Sequence, residues 1–211
     1  MANTFVNNEL FTDFDDASSR YDSNGRLLSE AQSNFFGRSQ CVNEDNQLLV
    51  LFHASNAEFT TFDINRIGSG GGYIYGKGFY FSEDRFSVEI YGKYVREFYL
   101  NLKNPFRWEP IEEEADATYN LDMFIEVLEA NSFVMPEGLF EELEDDLINN
   151  DGGLDTVIEK TCGVDFANTY FTRAGYDGIM NLDVGDYVAF RPDQIKLCSN
   201  KTPTASVDAA A

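Results

Sequence analysis

Hydrophobic residues along the chain fall into short runs and periodic groups that predict both strands and helices. The apolar run QLLVLFH over residues 47–53 follows a polar turn and is short enough for a buried strand that ends at His53. Ser29 precedes Gln32 by three residues, just before an apolar end, which is a capping-box pattern and predicts a short helix over residues 29–36. The patterned region therefore begins with a helix and continues into a strand.

Further strands are predicted on both sides of a long polar block. Strand-like runs cover residues 76–82, 97–102, 176–180, 187–190 and 192–196. Apolar positions between residues 85 and 95 lie near helical spacing instead. The sequence GSGGG over residues 68–72 has too much backbone freedom for regular structure, so it predicts a loop.

The polar block over residues 109–160 differs from the rest of the chain in charge. Between residues 109 and 159 it holds 17 Asp or Glu and no Lys or Arg. Apolar side chains recur in it with helical spacing, at Leu121, Phe124, Ile125 and Leu128 and again at Leu139, Phe140, Leu143 and Leu147. Residues 136–138, with the sequence PEG, separate the two groups. We therefore predict a helical insert with an acidic outer face.

The length of 211 residues fits one domain with an ample core, which we assign to residues 29–198. Residues 1–28 are rich in Asn, Asp and Ser, and we expect them to be poorly ordered or to act in docking. The tail over residues 199–211 has no pattern, and we expect it to be disordered. We expect the protein to be a monomer.

The balance of charge restricts the partners of this protein. Against 15 Lys and Arg stand 37 Asp and Glu, so the formal net charge is −22. Such a charge disfavours direct binding to nucleic acid or to anionic membranes and fits a basic protein partner. The longest apolar stretch, residues 48–52, is too short to span a bilayer, and the start MANTFVNNEL lacks the basic and apolar parts of an export signal. We therefore expect a cytoplasmic protein.

Histidine and cysteine content excludes the common transition-metal sites. His53 is the single histidine, and the three cysteines, Cys41, Cys162 and Cys198, are far apart in the sequence. Zinc and iron sites need clusters of such ligands, and no acidic loop has the spacing typical of a calcium site. We therefore assign no metal-binding residue and predict no disulfide framework, while a magnesium or calcium site made of carboxylates stays open at this point.

Four short motifs occur in an order that resembles a known enzyme family. They are LFHAS at 51–55, GKGFYF at 76–81, Tyr91, and DYVAF at 186–190 with Gln194-Ile195 downstream. Together they resemble the His-Gly-Ser, Gly-x-Gly-Ile-Tyr-Phe and acidic-Tyr-x-x-Tyr motifs of ADP-ribosyltransferases of the diphtheria-toxin and poly(ADP-ribose) polymerase type. The segments LSEAQSNFF at 28–36 and SQCVNEDNQLLVLFHAS at 39–55 look like the version found in bacteriophage and mobile-element polyvalent proteins. The resemblance covers about residues 29–105 and 170–197 and leaves the acidic insert outside.

This resemblance implies an α+β fold in which two small antiparallel sheets pack around an NAD cleft, with the N-terminal helix and the acidic insert added. NAD is the implied substrate. The implied catalytic residues are His53, Tyr80 and Asp186. The implied NAD-binding residues are His53, Ala54, Ser55, Gly78, Tyr80, Phe81 and Tyr91.

The resemblance also implies a role for each side chain. His53 would hydrogen-bond the 2′-hydroxyl of the nicotinamide-side ribose, and Ala54 and Ser55 would hold the carboxamide through main chain and hydroxyl. Tyr80 and Tyr91, eleven residues apart, would face the nicotinamide ring. Asp186 would stabilise the positive charge that builds at the anomeric carbon. Cleavage of an N-glycosidic bond passes through such an oxocarbenium-like state, which a fixed carboxylate stabilises more than the neutral ground state.

Three departures from the family pattern shape the expected activity. Ala54 replaces a glycine, Asp186 is one methylene shorter than the usual Glu, and Val88 stands where the polymerases have a Ser that contacts the ring. The short acid disfavours polymer synthesis. We therefore expect a mono-ADP-ribosyltransferase whose target is a side chain of a basic protein, such as a nucleic-acid-binding host or defence protein inhibited by a phage.

Two other functions stay open at this point. The protein could be an acidic mimic of nucleic acid that inhibits its target without catalysis, or an NAD glycohydrolase toxin that uses water as the acceptor. The site residues also have structural interpretations: a lone His at a strand end is often a structural hydrogen-bonding group, the tyrosines could belong to the core, and Asp186 could form a turn.

Overall fold

The computed structural model describes residues 20–67, 73–149 and 152–198. Its strands are β1 Leu51–Ser55, β2 Phe79–Ser82, β3 Tyr94–Leu100, β4 Phe106–Trp108, β5 Gly178–Asn181, β6 Asp186–Ala189 and β7 Ile195–Leu197. Its helices are α1 Glu30–Phe36, α2 Arg85–Glu89, α3 Glu114–Ala130, α4 Leu139–Ile148, α5 Leu154–Lys160 and α6 Ala167–Arg173. The predictions for residues 1–19, for the glycine run and for the C-terminal tail lie outside the described residues.

All seven strands belong to one sheet, in the order β4-β5-β6-β2-β1-β3-β7. Neighbouring strands are antiparallel except β4 and β5, which are parallel. The expected pair of small antiparallel sheets is therefore corrected to one mixed sheet within an α+β fold. The reason lies in β2, which pairs with β6 along its whole length and with β1 where Phe52 faces Ser82, so that it joins the two halves.

Register decides which side chains share a face of this sheet, because successive side chains of a strand alternate between faces. Tyr80 pairs with Val188 and Ser82 pairs with Asp186, so Tyr80, Ser82 and Asp186 lie on one face, here called the tyrosine face. Since Phe52 pairs with Ser82, the neighbouring His53 lies on the other face, here called the histidine face.

Helices α3 to α6 cover the tyrosine face over strands β4 to β6. Their apolar stripes form one buried cluster with strand side chains, and its largest members include Phe106, Trp108, Leu121, Phe124, Leu128, Leu143, Leu147, Ile158, Phe171 and Val188. The two helices predicted for the acidic block are confirmed as α3 and α4, and the block also holds α5, which was not predicted. Because their apolar sides build this core, the acidic block is an integral part of the folded structure and its charged residues face outward.

The histidine face is covered by the loop that follows β1. Phe59 and Phe62 from this loop pack against the buried strand residues Phe81 and Phe98. Helix α1 begins at the predicted capping box, where the backbone N–H of Gln32 donates to the Ser29 hydroxyl at 3.3 Å. Among the described residues no helix is long and apolar enough to cross a membrane.

Candidate functional site

The Gly76-Lys-Gly78 segment turns the chain from a loop into β2, and both glycines are required by geometry. Gly76 has a φ of +94°, a conformation that favours glycine, and a Cβ there would lie 2.8 Å from the Cβ of Ala167 in α6. A Cβ on Gly78 would lie 2.2 Å from Cγ1 of Val188 in β6. The Gly-x-Gly spacing therefore lets this segment approach both α6 and β6 closely.

Tyr80 fastens the preceding loop to the sheet. Its hydroxyl donates to the carbonyl oxygen of Gly76 at 2.6 Å and accepts from the backbone N–H of Tyr75 at 3.0 Å. The rings of Tyr75 and Tyr80 stack with an interplanar angle of 19° and a centroid distance of 6.1 Å. Burial raises the pKa of the Tyr80 hydroxyl, so it stays neutral. The loop is thereby held over the tyrosine face beside Asp186.

Asp186 is the first residue of β6 and stands half-buried at the end of the β5–β6 hairpin. The hydroxyl of Tyr75 donates to its Oδ2 over 3.5 Å, and the Nδ2 of Asn181 donates to the same hydroxyl at 3.0 Å. Burial raises the pKa of Asp186, and the Tyr75 hydrogen bond opposes that effect by stabilising the ionised form. The result is a carboxylate in a poorly solvated position with one defined donor.

His53 lies on the histidine face, across the sheet from Tyr80 and Asp186. Its Nδ1 is 2.7 Å from the carbonyl oxygen of Tyr80. A carbonyl oxygen only accepts, so Nδ1 carries the proton. Phe62 and Phe81 surround the ring at centroid distances of 5.0 and 5.4 Å.

Burial among these aromatic rings lowers the pKa of His53 and keeps the imidazole neutral. In this arrangement the imidazole ties β1 to the backbone of the strand that carries Tyr80. The ribose contact expected for His53 stays a prediction.

Ala54 and Ser55 lie at the C-terminal end of β1, and Tyr91 lies in the turn that follows α2. Ala54 is buried, and the Ser55 hydroxyl accepts from the backbone N–H of Ala57 at 3.2 Å. A Cβ on Gly92 would lie 2.4 Å from the carbonyl carbon of Ser55, so the turn after α2 packs directly on the end of β1. Tyr91 is 68% exposed and lines a cavity of about 370 Å³.

Helix α2 stands on the tyrosine face, next to the strand that carries Tyr80. Its Ser87 hydroxyl lies 3.0 Å from the hydroxyl of Ser82, the residue that pairs with Asp186. Val88, at the position of a Ser in the polymerases, is buried against the sheet. Helix α2 ends at Glu89, so it is shorter than the helical segment predicted over residues 85–95.

The structure thus brings Tyr80, Ala54 and Asp186 to one face of the sheet, with Gly78 at the start of β2. It places His53 and Phe81 on the opposite face. Sequence reasoning missed Tyr75 and Asn181, which complete the hydrogen bonds around Asp186. Their positions carried a weak signal: Tyr75 directly precedes the Gly76-Lys-Gly78 segment, and Asn181 stands five residues before Asp186 across a turn.

The part of the chain that the structure describes holds no group of three or more His, Cys, Asp or Glu side chains able to bind a metal ion. The side chains around Asp186 are instead a phenol, a hydroxyl and an amide, at Tyr75, Ser82 and Asn181. All three residues are 3% exposed, so their hydrogen bonds are made within the protein, and the half-buried Asp186 carboxylate is the polar group of this cluster that a ligand can reach.

Comparison with known proteins assigns the chain to a family. The model of the family described as "ADP-Ribosyltransferase in polyvalent proteins" matches residues 43–205. This match agrees with the resemblance of the motifs and, unlike the motifs, it also includes the acidic block. No curated protein matches the chain.

Among solved structures, the chain is similar to one titled "Crystal structure of an anti-CRISPR protein". The sequence identity is 14% and the TM-score 0.29, over 70% of this chain and 93% of that chain.

Proposed function

Because the chain belongs to the family of ADP-ribosyltransferases in polyvalent proteins, we propose that it cleaves NAD and transfers a single ADP-ribose unit to a protein side chain. The observation that carries this proposal is the half-buried Asp186 carboxylate beside Tyr75 and Tyr80 on the tyrosine face. NAD would bind on this face, with its nicotinamide end between Tyr80 and the α2 region. The His53 imidazole, on the opposite face, would then act through its hydrogen bond to the Tyr80 carbonyl oxygen and not through the ribose contact that the family resemblance implies.

The chemistry of the reaction explains why this carboxylate matters. The bond between the ribose anomeric carbon and the nicotinamide nitrogen breaks, and its electron pair leaves with nicotinamide. The acceptor side chain forms the new bond to that carbon and releases its proton to solvent water. Positive charge builds on the ribose between these events, and a carboxylate in a poorly solvated position stabilises it more strongly than one in bulk water. Asp186 has the required charge and the required surroundings.

Charge supports a basic protein as the target. The chain has a net charge of −22, and the outer faces of α3 and α4 carry exposed acids that include Glu114, Glu126, Glu129, Glu141 and Asp145. A surface of this sign attracts a cationic protein and repels free nucleic acid. We propose that the target is a nucleic-acid-binding protein of a host or its defence system, modified during infection by a phage.

The test is incubation of the purified protein with NAD labelled in its adenylate half, in a lysate that contains the target. The variant is Asp186→Asn, which removes the charge and keeps the size. The matched control is Asp183→Asn, because Asp183 is exposed in the same hairpin turn. Circular dichroism of all three proteins verifies that the fold is kept.

Each outcome of this experiment decides between the proposed function and an alternative. Label on a discrete protein band that is lost in Asp186→Asn and kept in Asp183→Asn supports the transferase. Free ADP-ribose without a labelled band overturns transfer in favour of an NAD glycohydrolase. Intact NAD together with a bound basic partner overturns catalysis and favours the acidic mimic.

A further inference from the structure

Three side chains on the tyrosine face form a hydrogen-bonded series that ends on the proposed catalytic carboxylate. The Nδ2 of Asn181 donates to the hydroxyl of Tyr75 at 3.0 Å, and that hydroxyl reaches Oδ2 of Asp186 at 3.5 Å. Asn181 and Asp186 also face each other across the β5–β6 ladder. The series thus connects two neighbouring strands through a loop residue.

The direction of these hydrogen bonds follows from the chemistry of the groups. An ionised carboxylate has only acceptor atoms, so the single phenol proton of Tyr75 must go to Asp186. The phenol oxygen can then only accept from its other neighbour, and the amide Nδ2 of Asn181 is the donor that satisfies it. Asn181 therefore acts on Asp186 through Tyr75. Because Asn181 donates to the phenol oxygen, the phenol proton of Tyr75 points to the carboxylate.

Packing and hydrogen bonds hold both Tyr75 and Asn181 in place. Tyr75 is 3% exposed, its ring stacks on Tyr80, and its backbone N–H donates to the Tyr80 hydroxyl. Asn181 is also 3% exposed and belongs to β5, a strand with neighbours on both sides. Among the described residues no Lys or Arg forms an ion pair with Asp186. The orientation of this carboxylate thus depends on a neutral donor rather than on a counter-charge.

We propose that Tyr75 and Asn181 are positioning residues that hold the Asp186 carboxylate, ionised and correctly oriented, against the ribose of NAD. This inference rests on the proposed function. A neutral donor suits the reaction, because a Lys or Arg at the same place would compete with the developing positive charge of the ribose for the carboxylate. Tyr75 thereby fixes the carboxylate without neutralising it.

The test compares Tyr75→Phe, Asn181→Leu and the double variant with the wild type. Tyr75→Phe removes one hydroxyl and keeps the ring that stacks on Tyr80. Tyr119→Phe is the matched control, because Tyr119 is 52% exposed on α3. Two properties are measured for each protein: the titration of the Asp186 carboxyl by carbon-13 NMR, and kcat and KM for NAD cleavage as functions of pH. Thermal unfolding of each variant verifies that it is folded.

We expect Tyr75→Phe to raise the pKa of Asp186 and to move the acidic limb of the kcat profile to higher pH. At neutral pH kcat falls by on the order of tenfold to a hundredfold with little change in KM, since the loss affects orientation in the transition state. Asn181→Leu has a smaller effect in the same direction. The double variant matches Tyr75→Phe, because Asn181 acts through the Tyr75 hydroxyl. Tyr119→Phe behaves like the wild type.

Failure of this inference is distinguishable from failure of the proposed function. If Asp186 titrates identically in the wild type and in folded Tyr75→Phe, the inference is overturned whatever the enzyme activity. If the losses from Tyr75→Phe and Asn181→Leu simply add, the proposed action through Tyr75 is overturned. If the wild type does not cleave NAD while Asp186 titrates as expected, the proposed function fails and the hydrogen-bonded series still stands.

Discussion

Replacement of Gly78 by alanine is the most direct test of how closely β2 approaches β6. The added Cβ would lie 2.2 Å from Cγ1 of Val188 and 3.2 Å from the carbonyl oxygen of Ala189. Val188 is fully buried and belongs to the cluster beneath α3 to α6, so its side chain has no space to withdraw into. The two strands must therefore separate by more than about 1 Å to restore ordinary van der Waals contact.

The expected cost follows from overpacking of a tight core. Such insertions typically destabilise a protein by about 1 to 3 kcal/mol, and the depth of this overlap favours a loss of about 3 kcal/mol for Gly78→Ala. Val188→Ala alone removes buried methyl groups and costs roughly 2 kcal/mol. In the double variant the new methyl group occupies the space that Val188 leaves, so we expect a total loss of roughly 2 kcal/mol instead of the additive 5 kcal/mol.

The assay is urea unfolding followed by fluorescence of Trp108, the single tryptophan, which is fully buried in the same cluster as Val188. The control is Gly153→Ala, where φ is −147° and the added Cβ meets only the end of the Asp155 side chain at 3.2 Å. Gly153 is the N-cap of α5, a position that favours glycine over alanine, so we expect that control to cost at most about 1 kcal/mol. A loss below about 0.5 kcal/mol in Gly78→Ala, or strict additivity in the double variant, would refute the reasoning.

Two further predictions concern His53 and the acidic helices. The pKa of His53 is lowered in the folded state, so below its ordinary value near 6.5 the unfolded chain binds a proton that the folded chain resists, and stability falls as the pH falls. His53→Asn keeps a donor for the Tyr80 carbonyl and does not titrate. Urea unfolding should therefore show that this variant loses less stability between pH 7 and pH 5 than the wild type, by up to about 1.4 kcal/mol per pH unit. Equal losses of stability in both proteins would contradict the lowered pKa. Phe124→Ala in α3 empties a fully buried position between Phe106 and Phe171, so it should lower the free energy of unfolding by about 3 to 5 kcal/mol. Trp108 fluorescence should still report one cooperative transition. A separate early transition would mean that the acidic helices unfold independently.

Several elements could be predicted from local pattern alone. The capping box at Ser29 predicted the start of α1, and the apolar spacing around Phe124 and Leu143 predicted α3 and α4 with their buried sides. These signals are local, because a helix buries one stripe of its own sequence. Strand β4 and helices α5 and α6 were missed, because a strand of three residues and helices of seven residues are too short to show a period.

The residues of the candidate site were likewise predicted only in part. The motifs placed Tyr80 on a strand and Asp186 just before another. The structure shows Tyr80 on β2 and Asp186 as the first residue of β6. Neither motif indicated Tyr75 or Asn181, because a hydrogen bond between a loop residue and two different strands leaves no regular spacing in the sequence. Their roles around Asp186 became visible only once the loop was folded over the hairpin.

By itself, the sequence determined where the longer strand-like runs lie, which stripe α3 and α4 bury and which family motifs occur. The tertiary structure decided how the strands pair: the register that sets Phe52 against Ser82 and Tyr80 against Val188 makes one continuous sheet and separates His53 from Tyr80. The physical reason is the two-residue period of a strand. A shift of one residue between neighbouring strands exchanges the faces of all their side chains, and only the packing of both faces selects the register.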